Sequence, residues 1–259
     1  MKQYLGSQIS LHFPGNSIRH YHTDTSGEVL YKFNDFGFRT TGLEIQATRT
    51  IWVVGCSLTF GTGLRVEDTW ANRLAGLIGM VTGRTASLWN FSQGGASNDF
   101  ILRTIWDQIQ TGKPDLIIIQ ITYPDRTEYT NDIIQGGMIG RWNRKRVSSH
   151  YFSFYNDQIG YSNLARNILL LKLVFEKYGV KFLISPVTMP SLSLEGQILS
   201  EIPRRYFETI DADEFLKCDL WDKSGFHDLA SDGLHPGPIS NLLYAQKIMS
   251  HLESRRLLG

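Results

Sequence analysis

The sequence predicts an α/β fold, a three-layer α/β/α sandwich built on a five-stranded parallel sheet. From residue 50 onward, short apolar runs alternate with longer amphipathic stretches, which is typical of parallel strands joined by helices. The run Leu116–Thr122 is apolar almost throughout, as expected for a central strand that is covered on both faces. A chain of 259 residues is long enough for one such domain with its own core.

Strands and helices can be assigned in order along the chain. The strands are predicted at Thr50–Val54, Ser87–Phe91, Leu116–Thr122 and Val180–Ser185, with a short fifth strand near Phe215–Leu220. The helices are predicted at Glu67–Ile78, from a cap at Ser97 or Asn98 to about Ile109, at Ser162–Tyr178 and at Ile239–Leu252. The glycines Gly79, Gly112 and Gly179 follow the first three helices and indicate where they end.

Two segments fall outside this alternation. Residues 1–49 contain short apolar pieces split by turn residues such as Pro14-Gly15-Asn16, and they predict a β-rich N-terminal extension packed on a main domain of residues 50–259. Residues 123–159 are polar, aromatic and locally basic, and they predict an irregular insertion beside a cleft. In this insertion Tyr123, Arg141 and Trp142 are candidates for stacking on a sugar or pairing with an anionic group, and a solvated loop is the equal alternative.

Composition and charge exclude several classes of function. Lys and Arg number 26 against 25 Asp and Glu, and this near balance argues against a nucleic-acid binder. The two cysteines, Cys56 and Cys218, are far apart, so no disulfide framework, zinc site or other cofactor is predicted. The N-terminus lacks a secretory signal and no run is long enough to span a membrane, so we expect a soluble, cytoplasmic protein, with later export or association with a virion left open. The oligomeric state is not predicted.

A candidate site begins where the first strand ends, at Gly55-Cys56-Ser57. A serine just past a strand, where a helix can start, is a nucleophile if a histidine reaches it. The segment before the last helix supplies His235 together with Asp232, three residues earlier, which can fix the tautomer of the histidine. Because ligands bind outside the carboxyl ends of parallel strands, the loops after Val54, Phe91 and strand three are predicted to meet this segment.

These motifs together resemble those of the SGNH (GDSL-type) hydrolases. The segment Gly55–Gly61 resembles their first block, Asn90–Gly95 their second and Asp232–Pro236 their last block, Asp-x-x-His. The similarity covers roughly residues 34–125 and 215–252 and implies the flavodoxin-like form of the sandwich.

The resemblance also implies a role for each residue of the site. Ser57 is then the nucleophile, His235 the base, and Asp232 the group that orients it. The N–H groups of Ser57 and Gly95 form the oxyanion hole, and a donor of this kind is worth about 3 kcal/mol in the transition state.

The sequence departs from the pattern of that family at two positions. Cys56 replaces the usual aspartate before the serine, which leaves open whether the thiol is the nucleophile instead of Ser57. Pro124 falls where the family has an asparagine that donates to the oxyanion, and proline has no N–H. Thr122, Tyr123 and Arg126 are the alternative donors.

The resemblance implies a serine esterase that removes short acyl groups, acetyl above all, from small-molecule or carbohydrate esters. Two other functions remain open at this point. The same triad can transfer the acyl group to a sugar hydroxyl when water is excluded. A binding or structural protein that kept the fold and lost activity is the second alternative, and the missing asparagine is its motivation.

Overall fold

The computed structural model describes residues 21–23, 29–33, 38–39, 47–130, 136–142, 146–186, 205 and 226–258. The strands are β1 (Tyr21–Thr23), β2 (Leu30–Lys32), β3 (Arg49–Val54), β4 (Ala86–Asn90), β5 (Leu116–Ile121), β6 (Thr127–Thr130), β7 (Gly136–Ile139) and β8 (Lys181–Pro186). The α-helices are α1 (Ser57–Phe60), α2 (Trp70–Thr82), α3 (Asn98–Ile109), α4 (Arg146–Phe154), α5 (Asp157–Tyr178) and α6 (Pro238–Ser254). A single 3₁₀ turn, Val66–Asp68, precedes α2.

The central sheet runs in the order β4-β3-β5-β8, and all of its pairings are parallel. It therefore has four parallel strands in the described part of the chain, not the predicted five. The predicted strand Phe215–Leu220 lies outside the described residues. β4 lies beside β3 on one side and β5 lies beside it on the other. The strand order along the chain therefore reverses its direction between β3 and β5, at their carboxyl ends. Such a reversal opens a crevice at that edge of the sheet.

Helices cover both faces of this sheet, which confirms the predicted three-layer class. On one face, α2 and α6 bury side chains such as Trp70 and Tyr244 against Ile118 of the central strand. On the other face, α3 and α5 bury residues such as Ile105 and Ile168. Strands with two covered faces lose their alternating pattern, which is why β5 is buried along its whole length.

The prediction of an irregular insertion at residues 123–159 is wrong. β6 and β7 form an antiparallel hairpin there, and α4 follows it. Arg103 of α3 holds the hairpin by donating two 3.0 Å hydrogen bonds to the carboxylate of Glu128. Helix α5 begins at Asp157 rather than at Ser162, because the side chain of Asn156 accepts a hydrogen bond from an N–H of its first turn.

The described pieces before residue 47 include a short antiparallel pair, β1 and β2, in which Tyr21 lies opposite Lys32. Among the helices that the structure describes, none combines the length and the apolar character needed to cross a membrane.

Candidate active site

The turn from β3 into α1 brings Ser57 to the carboxyl edge of the sheet. Gly55 makes this turn possible, because a Cβ on it would lie 2.4 Å from Thr59 Oγ1 and 3.1 Å from Gln120 Cβ. Cys56 is the N-cap in an extended conformation, and Ser57 is the first helical residue. The N–H groups of a first helical turn have no partner within the helix, and the Ser57 N–H makes no backbone hydrogen bond to another described residue.

The side chains of Cys56 and Ser57 have different surroundings. Cys56 is fully buried and belongs to the apolar cluster under α3 and α5. Ser57 is partly exposed. An enclosed thiol cannot meet a substrate carbonyl without opening the core, so Ser57 is the side chain of this pair that a substrate can reach.

Buried hydrogen bonds tie α1 to the two neighbouring strands. Thr59 donates through Oγ1 to Gln120 Oε1 of β5 at 2.7 Å. The carbonyl of Thr59 accepts from Asn90 Nδ2 at 2.9 Å, and Asn90 Oδ1 accepts from the N–H of Ser92 at 3.0 Å. A helix of four residues is marginal by itself, so these bonds decide its orientation.

Asp232 and His235 lie on a tight loop just before α6. The loop is closed by a hydrogen bond of 2.8 Å from the Ala230 N–H to the His235 carbonyl. Asp232 Oδ1 accepts from the N–H groups of Leu234 and His235, both at 3.0 Å. Asp232 Oδ2 lies 2.5 Å from His235 Nδ1. Both oxygens of the carboxylate are thus engaged, and one of them holds the imidazole ring.

The protonation state of this pair follows from the surroundings of Asp232. Burial raises the pKa of its carboxyl, but the N–H groups of His235 and Leu234 and the imidazole ring lower the pKa more, and the net shift is downward. Asp232 is therefore ionised at neutral pH and can only accept. Nδ1 of His235 must then carry the proton, which leaves Nε2 as the basic nitrogen.

The loop of Asp232 and the loop that follows α1 are joined at Gly63. The Gly63 carbonyl accepts from the Ser231 N–H at 3.2 Å and from Ser231 Oγ at 2.9 Å. A Cβ on Gly63 would lie 3.2 Å from Asp232 Cγ, so the two loops are in close contact. The bonds of the described residues do not include one between Ser57 Oγ and the ring of His235. The structure thus brings the two loops together without closing that hydrogen bond.

Gly95 lies in the loop after β4, which leads into α3. Its φ of +77° is in the left-handed region, and a Cβ on it would lie 3.0 Å from Cζ2 of Trp142. Two residues earlier, Gln93 donates its N–H to the Gly55 carbonyl at 3.2 Å, which fixes this loop against the turn that carries Ser57. Within the described chain, the Gly95 N–H has no backbone acceptor.

The loop after β5 carries a cation held between two aromatic rings. The guanidinium carbon of Arg126 lies 4.8 Å from the ring centroid of Tyr123 and 4.6 Å from that of Trp142. Arg126 Nη1 donates to Thr122 Oγ1 at 2.8 Å and to the Ala96 carbonyl at 3.5 Å. In the described ranges no carboxylate pairs with Arg126.

The predicted binding residues divide into two groups. Trp142 packs on Gly95 and, with Tyr123, on Arg126, so these residues lie together at the site. Arg141 is instead paired with Asp125 at 2.8 Å and is 69% exposed. Burial raises the pKa of Tyr123, so its hydroxyl stays protonated at neutral pH.

Sequence reasoning missed three residues that shape the site. Asn98 accepts from the Thr122 N–H at 2.9 Å and donates to the Thr122 carbonyl at 3.0 Å, which fixes the end of β5 to the start of α3. Arg39 and Tyr31 reach the loop after α1 from the N-terminal part of the chain. The sequence indicated Asn98 only as a possible helix cap, and it indicated no contact between the site and either Arg39 or Tyr31.

In the part of the chain that the structure describes, no group of at least three His, Cys, Asp or Glu side chains is arranged to hold a metal ion.

The fold is similar to those of several solved structures. TesA superposes with a TM-score of 0.51 at 17% identity, covering 80% of this chain and 99% of TesA. The psychrotrophic esterase EstA from Pseudoalteromonas sp. gives 0.51 at 14% identity, covering 80% and 98%. A lipolytic protein of the G-D-S-L family from Desulfitobacterium hafniense DCB-2 gives 0.47 at 13% identity, covering 78% and 99%. No protein-family model and no curated protein matches the sequence.

The first two similarities show that this chain shares the fold of those proteins, and the predicted fold class is confirmed. Sequence identities of 14–17% are too low to assign the reactions of those proteins to this chain. The reaction must be argued from the residues of the site.

Proposed function

We propose that this protein is a serine esterase that hydrolyses short-chain acyl esters through an acyl-enzyme on Ser57. One observation carries the proposal. The hydrogen-bonded pair of His235 and Asp232 lies on a loop that is bonded at Gly63 to the loop following the Ser57 helix. A base with a fixed tautomer, next to a partly exposed serine at a strand end, is the arrangement that activates a hydroxyl.

The reaction proceeds in two balanced halves. Ser57 Oγ attacks the ester carbonyl carbon while its proton passes to His235 Nε2, and the carbonyl electrons move onto oxygen. The tetrahedral intermediate then expels the alcohol, which takes the proton from Nε2. Water repeats these steps on the acyl-enzyme and releases the carboxylic acid. Asp232 remains ionised throughout and stabilises the imidazolium that forms twice in each cycle.

The oxyanion is held by the N–H groups of Ser57 and Gly95 and by the guanidinium of Arg126. The first two have no backbone acceptor among the described residues. Arg126 supplies the third donor because Pro124 offers none, and Thr122 serves it as an acceptor that fixes its orientation. A preorganised cation is effective where negative charge develops, since its position costs no reorganisation during the reaction.

The substrate is proposed to be a small or carbohydrate ester with a short acyl group such as acetyl. Support comes from the aromatic surface beside Gly95, where Trp142 is 50% exposed and Tyr123 is 38% exposed. Flat rings of this kind accept the apolar face of a sugar.

A fluorophosphonate probe followed by peptide mass spectrometry tests the nucleophile directly. We expect a covalent adduct on Ser57 in the wild type and in Cys56→Ala, and none in Ser57→Ala. Turnover of p-nitrophenyl acetate should follow the same order. Loss of turnover in Cys56→Ala alone would assign the reaction to the thiol. A folded wild type that gives neither adduct nor turnover would favour the binding or structural alternative.

The fate of the acyl group needs a separate assay. With an acetyl ester and a sugar acceptor, the hydrolase proposal expects free acetate as the main product at every acceptor concentration. Acetylated sugar that forms faster than acetate would reassign the protein as an acyltransferase that uses the same residues.

A further inference from the structure

A buried arginine from the N-terminal part of the chain is hydrogen-bonded to the loop that follows the Ser57 helix. Arg39 is 2% exposed. Its Nη1 donates to the Phe60 carbonyl at 2.7 Å and to the Gly61 carbonyl at 2.5 Å, and its Nη2 donates to the Leu64 carbonyl. The guanidinium therefore donates hydrogen bonds to three backbone carbonyls within residues 60–64.

The Phe60 and Leu64 carbonyls have no backbone donor among the described residues, whereas the Gly61 carbonyl also accepts from the Leu64 N–H at 3.1 Å. The last carbonyls of any helix lack an intrahelical partner, and the helix dipole makes them attractive to a cation. The loop turns around the guanidinium at Gly61, whose φ is +79° and whose added Cβ would lie 3.2 Å from Arg39 Nη1. The helix and the turn after it are thus shaped around this one side chain.

Burial of this cation is costly in the absence of a close carboxylate. It lowers the pKa of Arg39 from 12.5 to about 10, an effect that Tyr31 and Glu67 reduce. The group nevertheless remains charged at neutral pH. No carboxylate of the described residues forms an ion pair with it, so its compensation comes from the loop carbonyls and from the faces of two aromatic rings.

Tyr31 holds the same loop at the next point along the chain. Its ring lies 4.3 Å from the Arg39 guanidinium, and its hydroxyl accepts from the Gly63 N–H at 2.7 Å. The carbonyl of Gly63 accepts from Ser231, the residue before Asp232. Gly63 is therefore fixed by Tyr31 on one side and by the loop of the acid and base on the other.

We propose that Arg39 and Tyr31 are positioning residues of the esterase site, which set the relation between Ser57 and His235 by fixing residues 60–64. The inference rests on the proposed function and extends it to residues that touch neither substrate nor reacting atoms. A displacement of about 1 Å between nucleophile and base is enough to cost on the order of a hundredfold in rate.

Three variants of the full chain test the proposal: Tyr31→Phe, Arg39→Lys and Arg39→Met. Arg49→Met is the matched control, because Arg49 is also buried and also donates to a backbone carbonyl, that of Leu258, but at the opposite end of β3. The measurements are the thermal midpoint, kcat and KM on p-nitrophenyl acetate, and both the rate and the final extent of fluorophosphonate labelling at Ser57.

For the Arg39 variants we expect kcat and the labelling rate to fall about tenfold to a hundredfold, with KM little changed and labelling still complete. Tyr31→Phe, which keeps the ring, should lower both rates severalfold. Arg49→Met should lower the thermal midpoint, but its folded molecules should keep the wild-type kcat and labelling rate. A merely structural role reduces the extent of labelling in proportion to misfolded protein and leaves its rate unchanged.

Two results would overturn the inference in distinguishable ways. In the first, Tyr31→Phe keeps the wild-type kcat and labelling rate, and the Arg39 variants, like Arg49→Met, show only a smaller final extent of labelling. Arg39 and Tyr31 then stabilise the fold alone, and the esterase proposal stands. If the wild type itself forms no Ser57 adduct and hydrolyses no ester, the proposed function fails, and the positioning role fails with it.

Discussion

Thr59 and Thr104 offer a matched pair for measuring what a buried hydrogen bond contributes next to the nucleophile. Both are buried, at 0% and 1% exposure. Thr59 donates to Gln120 Oε1 at 2.7 Å, whereas Thr104 Oγ1 has no hydrogen-bond partner in the described structure. Valine keeps the shape of each side chain and replaces only the hydroxyl with a methyl group.

The two variants should change stability in opposite directions. Thr59→Val leaves the Gln120 oxygen buried without its donor, so we expect the free energy of unfolding to fall by about 2 kcal/mol. Thr104→Val removes a buried hydroxyl that has no partner and adds a methyl group, so we expect a gain of about 1 kcal/mol. The intrinsic helix propensities of threonine and valine are similar and do not decide the outcome.

Urea denaturation at neutral pH provides the measurement. The comparison holds only if the free energy of unfolding falls with urea concentration at the same slope in both variants and the wild type. The expected separation between the two midpoints corresponds to about 3 kcal/mol, the sum of the two effects above. Equal destabilisation of both variants would refute the reasoning, because packing of the threonine side chain would then outweigh its hydrogen bond. The labelling rate at Ser57 should fall in Thr59→Val only.

Three further predictions concern the acid, the oxyanion glycine and the last helix. Asp232→Asn should lower kcat by about 10³–10⁴-fold with the fold retained, and an unchanged kcat would exclude its role. Gly95→Ala adds a strained Cβ at φ +77° and should lower kcat about tenfold or more, whereas Gly94→Ala, whose Cβ meets nothing within 4 Å, should leave kcat unchanged. Asp228 accepts hydrogen bonds from the N–H groups of Ile239 and Ser240 in the first turn of α6. Burial raises the pKa of its carboxyl, but these N–H groups and the Ser240 hydroxyl lower the pKa more, so the net pKa lies below 3.8. Its contribution, about 1 kcal/mol, is complete above pH 3.8 and is lost as pH falls through the lowered pKa, so urea midpoints of wild type and Asp228→Ala should converge in acid.

The strands of the central sheet were predictable because burial on both faces leaves a continuous apolar run. Leu116–Thr122 was predicted where the structure has Leu116–Ile121. The acid and base loop was predictable for another reason, since Asp232 and His235 are close in sequence and their contact is local. Both kinds of signal depend on residues near one another in the chain.

The features that sequence reasoning missed depend on contacts between distant residues. The hairpin of β6 and β7 has no continuous apolar run, since β6 reads Thr-Glu-Tyr-Thr and β7 reads Gly-Gly-Met-Ile, and it is held by the pairing of Glu128 with Arg103 on another element. The hydrogen bonds from Arg39 to the loop carbonyls leave no pattern in the sequence, because every residue has a backbone carbonyl and none is required at these positions. Such partners become evident only when the fold brings them together.

The two departures from the SGNH pattern can now be understood through the contacts of their neighbours. An acid before the serine would be buried, since position 56 is fully enclosed, and here the loop is held by Arg39 and Asn90 without it. Pro124 removes a donor close to Arg126, and the rings of Tyr123 and Trp142 restrict that cation to a narrow range of positions. A planar guanidinium clamped between two rings loses little further freedom when it binds an anion. Under the proposed function, a preorganised cation takes the place of a neutral amide donor, and a cation is the stronger partner for a developing negative charge.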